Sequence, residues 1–420
     1  MTARLVGRRL FATRSVSEEF KGNMYQLIGG EPSPYTGKVR SYLIHKRIKF
    51  ERVQATLEIY SGFIKPQVGW TVIPVLVAPN RDVIQDSTDI INYLEKRHPE
   101  PSIIPEGPRQ RIAAKLLELL ADEWLVQPAM HYRWAFPESM SFIKQEFGRM
   151  IMPKESHESQ RHIAESGYGK FKGMLPGLGI TEKTGPEIER SWKRLMYELS
   201  EHFDKHPYLL GGRPCIGDFA FGGMIYAHLF RDPVPGFLMK TTAPVLSAWC
   251  EHMNGILPEA NRSNIHTLEN GFPVRENHDS SVTDFCENDE IPESLMPILK
   301  HMMSEFAPIL LSTKINLMDY IKNNVTSENR KLPRLIGTHQ YTIGDVTESR
   351  SINPFNIWMW QQVTDTYQSL SKDEKSSVDS WLSSLPHGQD IVAADLSHCR
   401  VAREKNFLHV DPSSFTMSKL

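Results

Sequence analysis

Residues 24–95 constrain the fold of this chain most. They contain the starts of two predicted helices, one before and one after a strand that contains a proline. The stretch opens with an apolar run at 24–28, followed by a loop rich in glycine and proline. Ser33 then precedes a helix whose first position is Pro34, where the missing N–H costs nothing. Ser33 is therefore predicted to lie at a helix N-terminus.

The second half of the stretch contains a β-rich run at 72–78 that is interrupted by Pro74. Proline usually confines a strand to a sheet edge or marks a special backbone conformation. A partner strand is predicted at 82–85, and Asp86 and Ser87 then open a helix with apolar periodicity. Two helix N-termini thus flank a proline-containing strand, and their free N–H groups and positive dipole ends suit carboxylates and thiolates.

Three motifs occur here in a fixed order: Ser-Pro-Tyr-x-x-Lys-Val-Arg from Ser33, a hydrophobic-Pro-Val-Leu step at Ile73, and Asp86-Ser87 before a helix. In this order they resemble the thioredoxin-like N-terminal domain of the cytosolic glutathione transferase superfamily. Ser33 occupies the position of the active serine in zeta-type members, and of a cysteine in omega-type and glutaredoxin-like members. The resemblance is therefore to a Ser-type, zeta- or omega-like domain.

The resemblance implies that glutathione binds as a co-substrate and that no metal is involved. It also implies which residues would hold glutathione. The Ile73–Pro74 bond would be cis, which is chemically permitted because cis bonds are essentially a proline property. The Ile73 backbone would pair with the cysteinyl unit of glutathione. Asp86 and Ser87 would hold its γ-glutamyl end.

The candidate catalytic residue is Ser33, with Tyr35 as the runner-up. A thiol with a pKa of about 8.5 is mostly protonated at neutral pH, whereas the thiolate is the nucleophile. A hydroxyl that donates to the sulfur at a helix N-terminus favours the thiolate. The alternative is that Ser33 only caps the helix. Thr36 stands where a second redox cysteine would lie, which argues against disulfide exchange.

The resemblance implies a glutathione transferase-like enzyme that activates the glutathione thiolate for attack on a small hydrophobic electrophile. Conjugation, isomerisation and dehalogenation remain open. The alternative is a non-catalytic interaction or ligand-binding protein of an organelle. That alternative is favoured by Trp70 and Thr71, which replace a lysine that often meets the glycyl carboxylate. Family members commonly pair as dimers through the two-domain interface, so the resemblance implies a possible homodimer, although the extension could cover that surface.

Length and composition exclude several other classes of protein. The chain has 420 residues, enough for two or three cores, and a net charge of −2 gives no electrostatic signature for nucleic acid. No run of eighteen apolar residues occurs, so no transmembrane helix is expected. Four scattered cysteines argue against zinc and against structural disulfides: Cys215, Cys250, Cys286 and Cys399.

The predicted fold class is α/β plus all-α. A thioredoxin-like domain at 24–98 is followed by an all-α domain of the glutathione transferase type at 106–257, a linker at 258–290 and a helical extension at 291–420. Within the all-α domain Asp218 is read as structural, in a cap where Cys215 replaces the usual hydroxyl. In the extension, 335–345 repeats the Leu-Gly and Ile-Gly-Asp pattern of 209–218, which suggests a duplicated helical module.

A segment dense in aromatic residues lies at 124–134, after the first predicted helix of the all-α domain. In the resembled family the corresponding helix lines the pocket for the hydrophobic co-substrate, so four residues are candidates for that pocket: Trp124, His131, Tyr132 and Trp134. An aromatic stripe at helical spacing also fits an ordinary core. The two interpretations stay open at this point.

The two ends of the chain carry conflicting targeting patterns. Residues 1–20 are rich in arginine and poor in acids, which is typical of a mitochondrial leader. The terminal Ser418-Lys419-Leu420 is the tripeptide of peroxisomal import. A peroxisomal location is expected, with a mitochondrial or dual location as the alternative.

Overall fold

The computed structural model describes residues 23–255, 266–269, 272–275 and 284–416. The arginine-rich leader at 1–20, the Ser-Lys-Leu terminus and most of the predicted linker lie outside the described residues.

The N-terminal domain is a four-stranded mixed sheet with helices on both faces. The strands are β1 (Tyr25–Gly29), β2 (Phe50–Gln54), β3 (Val75–Val77) and β4 (Val83–Gln85), in the order β2-β1-β3-β4. Strand β1 is parallel to β2 and antiparallel to β3, and β3 is antiparallel to β4. Helices α1 (Pro34–His45) and α2 (Ser87–Glu95) start at the two predicted positions, and a helical segment built from Leu57–Ile59, a π-helical Tyr60–Ile64 and Lys65–Val68 joins β2 to β3.

Alternation along the strands divides the core of this domain between the two faces of the sheet. Leu27 and Leu76 pack with α1 and α2 in the large hydrophobic core. Ile28 and Val75 pack on the opposite face with Ile64, which belongs to the segment between β2 and β3. The predicted thioredoxin-like arrangement is confirmed.

The helical domain follows, and the predicted all-α class is confirmed. Its main helices are α3 (Pro108–Leu119), α4 (Val126–Trp134), α5 (Met140–Ile151), α6 (His157–Lys172), α7 (Gly185–Phe203), α8 (Ile216–Met224), α9 (Pro233–Thr242) and α10 (Pro244–Met253). Two π-helical segments, Leu120–Trp124 and Ile225–Phe230, continue α3 and α8. Short 3₁₀ turns lie at Pro137–Ser139, Pro176–Leu178, Glu287–Asp289, Glu293–Leu295 and Ser397–Cys399.

Two local features fix helix α8. Asp218 is fully buried and accepts the backbone N–H groups of Leu209 at 2.8 Å and Cys215 at 2.9 Å, so its predicted structural role is confirmed. Helix α8 also crosses α1 closely at Gly223, where a Cβ would lie 2.5 Å from the backbone N of Lys38. Only glycine fits this crossing, which joins the N-terminal domain to the helical domain.

The extension contains helices and β-hairpins. Its helices are α11 (Met296–Asn324), α12 (Phe355–Gln368), α13 (Lys372–Leu382) and the short Gly388–Val392 and Ser413–Thr416. Antiparallel pairs form between β7 (Thr338–Ile343) and β8 (Val346–Ser351), and between β9 (Val401–Glu404) and β10 (Phe407–Val410). A further pair, β5 (His266–Glu269) with β6 (Phe272–Arg275), lies within the predicted linker.

The hypothesis of a duplicated helical module is wrong. Residues 338–351 form a hairpin in which Ile343 pairs with Val346 across a turn containing Gly344, whose φ is +53°. In the first copy of the pattern the corresponding residues start helix α8. A glycine-aspartate pair suits both a helix start and a hairpin turn, so the pattern alone could not distinguish them.

The extension shares its core with the helical domain. Phe306 and Leu310 of α11 and Trp360 of α12 are fully buried in the same cluster as Trp192 of α7. Among the described residues, no helix combines the length and the apolar character that crossing a bilayer would require. The four cysteines are unbridged.

Candidate active site

The sheet register brings the three predicted glutathione-binding segments to one edge of the sheet. Ile28 of β1 lies opposite Val75 of β3, and Val75 in turn lies opposite Gln85 of β4. Three segments therefore adjoin neighbouring strand ends at this edge of the sheet. They are the loop to Ser33, the peptide step at 73–74 and the helix start after Gln85. The Ile73–Pro74 peptide bond is cis, as the resemblance implied.

Ser33 caps helix α1 from an extended conformation, with φ −95° and ψ 115°. Its Oγ accepts the backbone N–H of Thr36 at 3.2 Å, and its own N–H donates to the carbonyl of Gly30 at 3.0 Å. A serine hydroxyl offers one donor and two acceptor lone pairs. Capping uses a lone pair, so the hydroxyl proton is not consumed by it. The capping role and the predicted donation to a sulfur atom are chemically compatible.

The hydroxyl of Tyr35, the runner-up, donates to the backbone carbonyl of Asp122 at 3.1 Å. Burial, together with the carboxylates of Glu123, Asp122 and Asp86, raises the pKa of Tyr35 well above its usual value. The hydroxyl thus faces the helical domain and stays protonated.

Asp86 caps helix α2 from a rare backbone conformation. Its φ is +88°, and its Oδ1 accepts the backbone N–H of Thr88 at 2.9 Å. A residue other than glycine rarely adopts a positive φ, and such strain concentrates at functional sites. Ser87 follows at the first position of the helix and is 4% exposed. Whether these two residues bind γ-glutamyl groups remains a prediction.

An arginine from the extension reaches the same helix start, and no sequence motif predicts this contact. Arg403 of β9 places Nη1 2.6 Å from Oδ2 of Asp89 and 3.5 Å from Oδ2 of Asp86. Its Nη2 donates to Oε1 of Gln85 at 2.5 Å. Its side chain is only 7% exposed, so the guanidinium is enclosed by the groups that it binds.

The extension also covers the loop before the cis-proline. The ring of Phe407 meets the ring of Trp70 edge-on, with 6.2 Å between centroids. The guanidinium of Arg334 lies 5.1 Å from the Trp70 centroid. Gly69 ends the helical segment at φ +86°, and a Cβ there would lie 3.3 Å from the Phe407 ring. The extension therefore contacts both the Trp70 loop and the start of α2.

Glu123 is a second group that sequence reasoning missed. It is partly buried next to Asp122, and burial raises its pKa well above the usual value. The carboxylates of Asp122 and Asp86 raise the pKa further, whereas the guanidinium of Arg350 lowers it. A carboxyl group with a raised pKa thus lies close to Tyr35 and Asp86.

The four residues predicted to line a substrate pocket are all buried among other side chains. Trp124 donates its indole N–H to Glu305 at 3.1 Å, and His131 Nε2 lies 3.1 Å from Glu189. The ring of Tyr132 stacks on Phe136 at 5.1 Å, and that of Trp134 stacks on Phe171 at 5.2 Å. This packing corresponds to the core interpretation. The pocket role stays a prediction.

Comparison with known proteins agrees with the geometry. Residues 27–102 match the family model described as glutathione S-transferase, N-terminal domain. A curated relative, glutathione S-transferase U6 of Arabidopsis thaliana, is 26% identical over 201 residues, which cover 42% of this chain and 86% of the relative.

Solved structures also align with the chain. The beta-etherase LigF from Sphingobium is 21% identical with a TM-score of 0.42, covering 56% of this chain and 96% of its own. A glutathione S-transferase from Methylobacterium radiotolerans, solved with glutathione sulfonate, is 20% identical with a TM-score of 0.33, covering 55% and 89%.

The matched domain contains the sheet edge at which Ser33, the cis-proline and Asp86 meet. The N-terminal domain is thus similar to that of the glutathione S-transferase superfamily, and the curated relative extends this similarity over 201 residues.

Proposed function

We propose that this protein is a glutathione transferase-like enzyme that binds glutathione at the sheet edge formed by Ser33, Ile73–Pro74 and Asp86–Ser87. One observation carries the proposal: a helix N-terminus capped by a serine meets a cis-proline and a second helix N-terminus within a domain that matches the family model. The curated relative is named a glutathione S-transferase, so we take glutathione as the thiol substrate at this site.

The proposed chemistry needs only positioning and thiolate stabilisation. The thiol of glutathione loses its proton to solvent, and the Ser33 hydroxyl donates to the resulting thiolate. The N-terminal dipole of α1 stabilises the same charge. The sulfur lone pair then forms a bond to an electrophilic carbon, and a leaving group departs with its electron pair. The electrophile is held beside Ser33.

Calorimetric titration of the full-length protein with reduced glutathione tests the proposal. Repeating it in two buffers of different ionisation enthalpy counts the released protons. We expect binding at millimolar concentration or below, with proton release that disappears in Ser33→Ala. Turnover of 1-chloro-2,4-dinitrobenzene should fall about 10- to 1000-fold in that variant, by analogy with removal of one stabilising donor.

The control must separate loss of the hydroxyl from loss of a helix cap. Ser156 caps α6 in the same way, by accepting the N–H of Ser159 at 3.2 Å. Ser156→Ala should lose a similar stability, about 1 kcal/mol, and keep its turnover. Equal turnover in Ser33→Ala and the wild type would contradict the catalytic role of Ser33.

The second candidate is a non-catalytic ligand-binding or interaction protein on the same scaffold. The contacts of Arg403 with Asp86 and of Phe407 with Trp70 favour it, because they occupy surface next to the proposed glutathione site. The titration separates the two candidates. No binding of glutathione at several millimolar would reject the enzyme and leave the interaction protein.

A further inference from the structure

A cavity of about 640 Å³ opens beside the loop that leads to Ser33. Gly30 and Pro32 of that loop line it, together with the end of β2 and the last turn of α5. The four aromatic candidates of the all-α domain do not belong to its lining. The chemical character of this cavity is set by arginines.

Arg40 forms the fixed part of the cavity wall. It is 5% exposed, and its Nη1 lies 2.6 Å from Oε2 of Glu31. Its Nη2 donates to Oδ1 of Asn254 at 2.5 Å, and its guanidinium lies 5.1 Å from the ring centroid of Tyr226. Arg52 pairs with the same Glu31 carboxylate from the strand side. One carboxylate therefore serves two guanidinium groups.

On the opposite wall of the cavity, the carboxylate is again already paired with a guanidinium group. Glu146 of α5 lines the cavity but is paired with Arg231, which approaches from the helical domain. Arg149 lies three residues further along the same helix, lines the cavity and is exposed. Within the described part of the chain, the Arg149 guanidinium has no acidic partner.

Positively charged residues outnumber negatively charged residues in the cavity lining. Three arginines (Arg40, Arg52 and Arg149) and two glutamates (Glu31 and Glu146) line the cavity, which gives the lining a net charge of +1, and Arg231 offsets the charge of Glu146 from outside the lining. The whole chain carries a net charge of −2, so the cavity is a positive region on an otherwise slightly acidic protein. Met150 and Val53 add apolar surface to the same lining.

We propose that this cavity binds a small molecule that carries a carboxylate, with Arg149 and Arg52 as its partners and Arg40 fixed behind them. A planar guanidinium matches a carboxylate through two parallel hydrogen bonds, and charge-assisted bonds are about twice as strong as neutral ones. The apolar part of the ligand lies against Met150 and Val53. The ligand is therefore an amphiphilic organic anion.

The position of the cavity links it to the proposed reaction. The lining loop ends at Ser33, whose N–H donates to the carbonyl of Gly30 at 3.0 Å. We assign the cavity to the electrophilic co-substrate, an assignment that rests on the proposed function. The substrate class is then an electrophile with an anionic group, in place of the purely hydrophobic molecule expected from the sequence.

Direct binding tests the cavity without glutathione. Full-length protein is titrated with 3,5-dinitrobenzoate and with its neutral isostere 3,5-dinitrobenzamide. We expect the benzoate to bind about 10-fold more tightly, a preference that follows from charge-assisted hydrogen bonds. The preference should disappear in Arg149→Glu, shrink in Arg149→Ala and persist in Arg149→Lys. Arg161→Ala is the matched control, because Arg161 is an exposed arginine of α6 outside the lining.

A second measurement follows chloride release from 4-chloro-3,5-dinitrobenzoate and from 1-chloro-2,4-dinitrobenzene with reduced glutathione. The thiolate sulfur bonds to the ring carbon, and chloride leaves with the electron pair of the C–Cl bond. The ratio of the two kcat/KM values should fall about 10-fold in Arg149→Glu, as the lost charge-assisted contact requires.

The outcomes separate the two proposals. Equal affinity for benzoate and benzamide, absence of binding by both, or an undiminished preference in Arg149→Glu would overturn the carboxylate site. A benzoate preference that depends on Arg149, without glutathione-dependent chloride release, would support the carboxylate site and contradict the proposed enzyme.

Discussion

The guanidinium of Arg403 lies 2.6 Å from the carboxylate of Asp89, and so ties strand β9 of the extension to the first turn of helix α2. The same guanidinium contacts Asp86, the cap of that helix. The extension is therefore part of the wall around the proposed glutathione site. Its contribution can be measured without knowing the substrate.

Replacing Arg403 by alanine should destabilise the protein by about 1–3 kcal/mol, because two neighbouring carboxylates would lose their enclosed partner. Asp89 is 42% exposed, which keeps the loss below that of a fully buried pair. Arg400→Ala is the matched control. Arg400 pairs with Asp365 at 2.7 Å and is 34% exposed, so we expect a loss of about 0–1 kcal/mol. Urea denaturation with unchanged m-values would give both numbers, and equal losses would contradict the prediction.

Lys38 joins the two domains through a buried ion cluster. Its Nζ lies 2.7 Å from Glu118 and 2.6 Å from Asp122, and the side chain is 1% exposed. Burial alone would lower the pKa of Lys38, but the two carboxylates outweigh it and raise the pKa. Lys38→Met should cost about 3–5 kcal/mol, because it leaves the buried carboxylate of Asp122 without its ion partner and Glu118 with Lys115 alone.

Lys115 provides the comparison for Lys38, since it pairs with the other oxygen of Glu118 at 3.0 Å but is 22% exposed. Lys115→Met should cost less than about 1 kcal/mol. Adding Glu118→Gln and Asp122→Asn to Lys38→Met should recover part of its loss. If the triple variant is less stable than Lys38→Met alone, uncompensated charge is not the cause.

The role of Tyr132 can be decided by removing its hydroxyl. The side chain is 1% exposed, and no described residue offers its hydroxyl a hydrogen-bond partner. Tyr132→Phe should therefore leave the free energy of unfolding unchanged or raise it by up to about 1 kcal/mol. Turnover should also be unchanged if Tyr132 belongs to the core. A fall in turnover without loss of stability would restore the substrate-pocket role.

His202 makes stability depend on pH. It is fully buried, its Nε2 lies 3.1 Å from the carbonyl of Tyr208, and its Nδ1 lies 2.9 Å from the hydroxyl of Ser294. Burial lowers the pKa of His202 to about 3, below its value in the unfolded chain. The unfolded state then binds the proton first, so this stabilisation is complete above about pH 6.5 and is lost as the pH falls.

Between pH 6.5 and 5 the loss from His202 should be about 2 kcal/mol, at about 1.4 kcal/mol per pH unit. Unfolding free energies of the wild type and His202→Gln, measured at several pH values, provide the comparison. The variant should have a shallower slope over this range. Parallel curves would show that His202 does not titrate differently in the two states.

The elements that could be predicted from the amino-acid sequence are those with local signals. Ser33 before Pro34 and Asp86 before Ser87 start the two helices at the predicted positions, because capping and proline geometry involve only a few neighbouring residues. Pro74 marked the special backbone, which is a cis bond.

The surroundings of these helix starts depend on contacts between distant parts of the folded chain. Arg403 and Asp89 are 314 residues apart, and no periodicity or motif links positions at that separation. The hairpin at 338–351 replaced a predicted helix start, because strand pairing depends on packing against the rest of the core. The arginines that line the cavity come from three separate elements, α1, β2 and α5, so their shared charge exists only once the chain has folded.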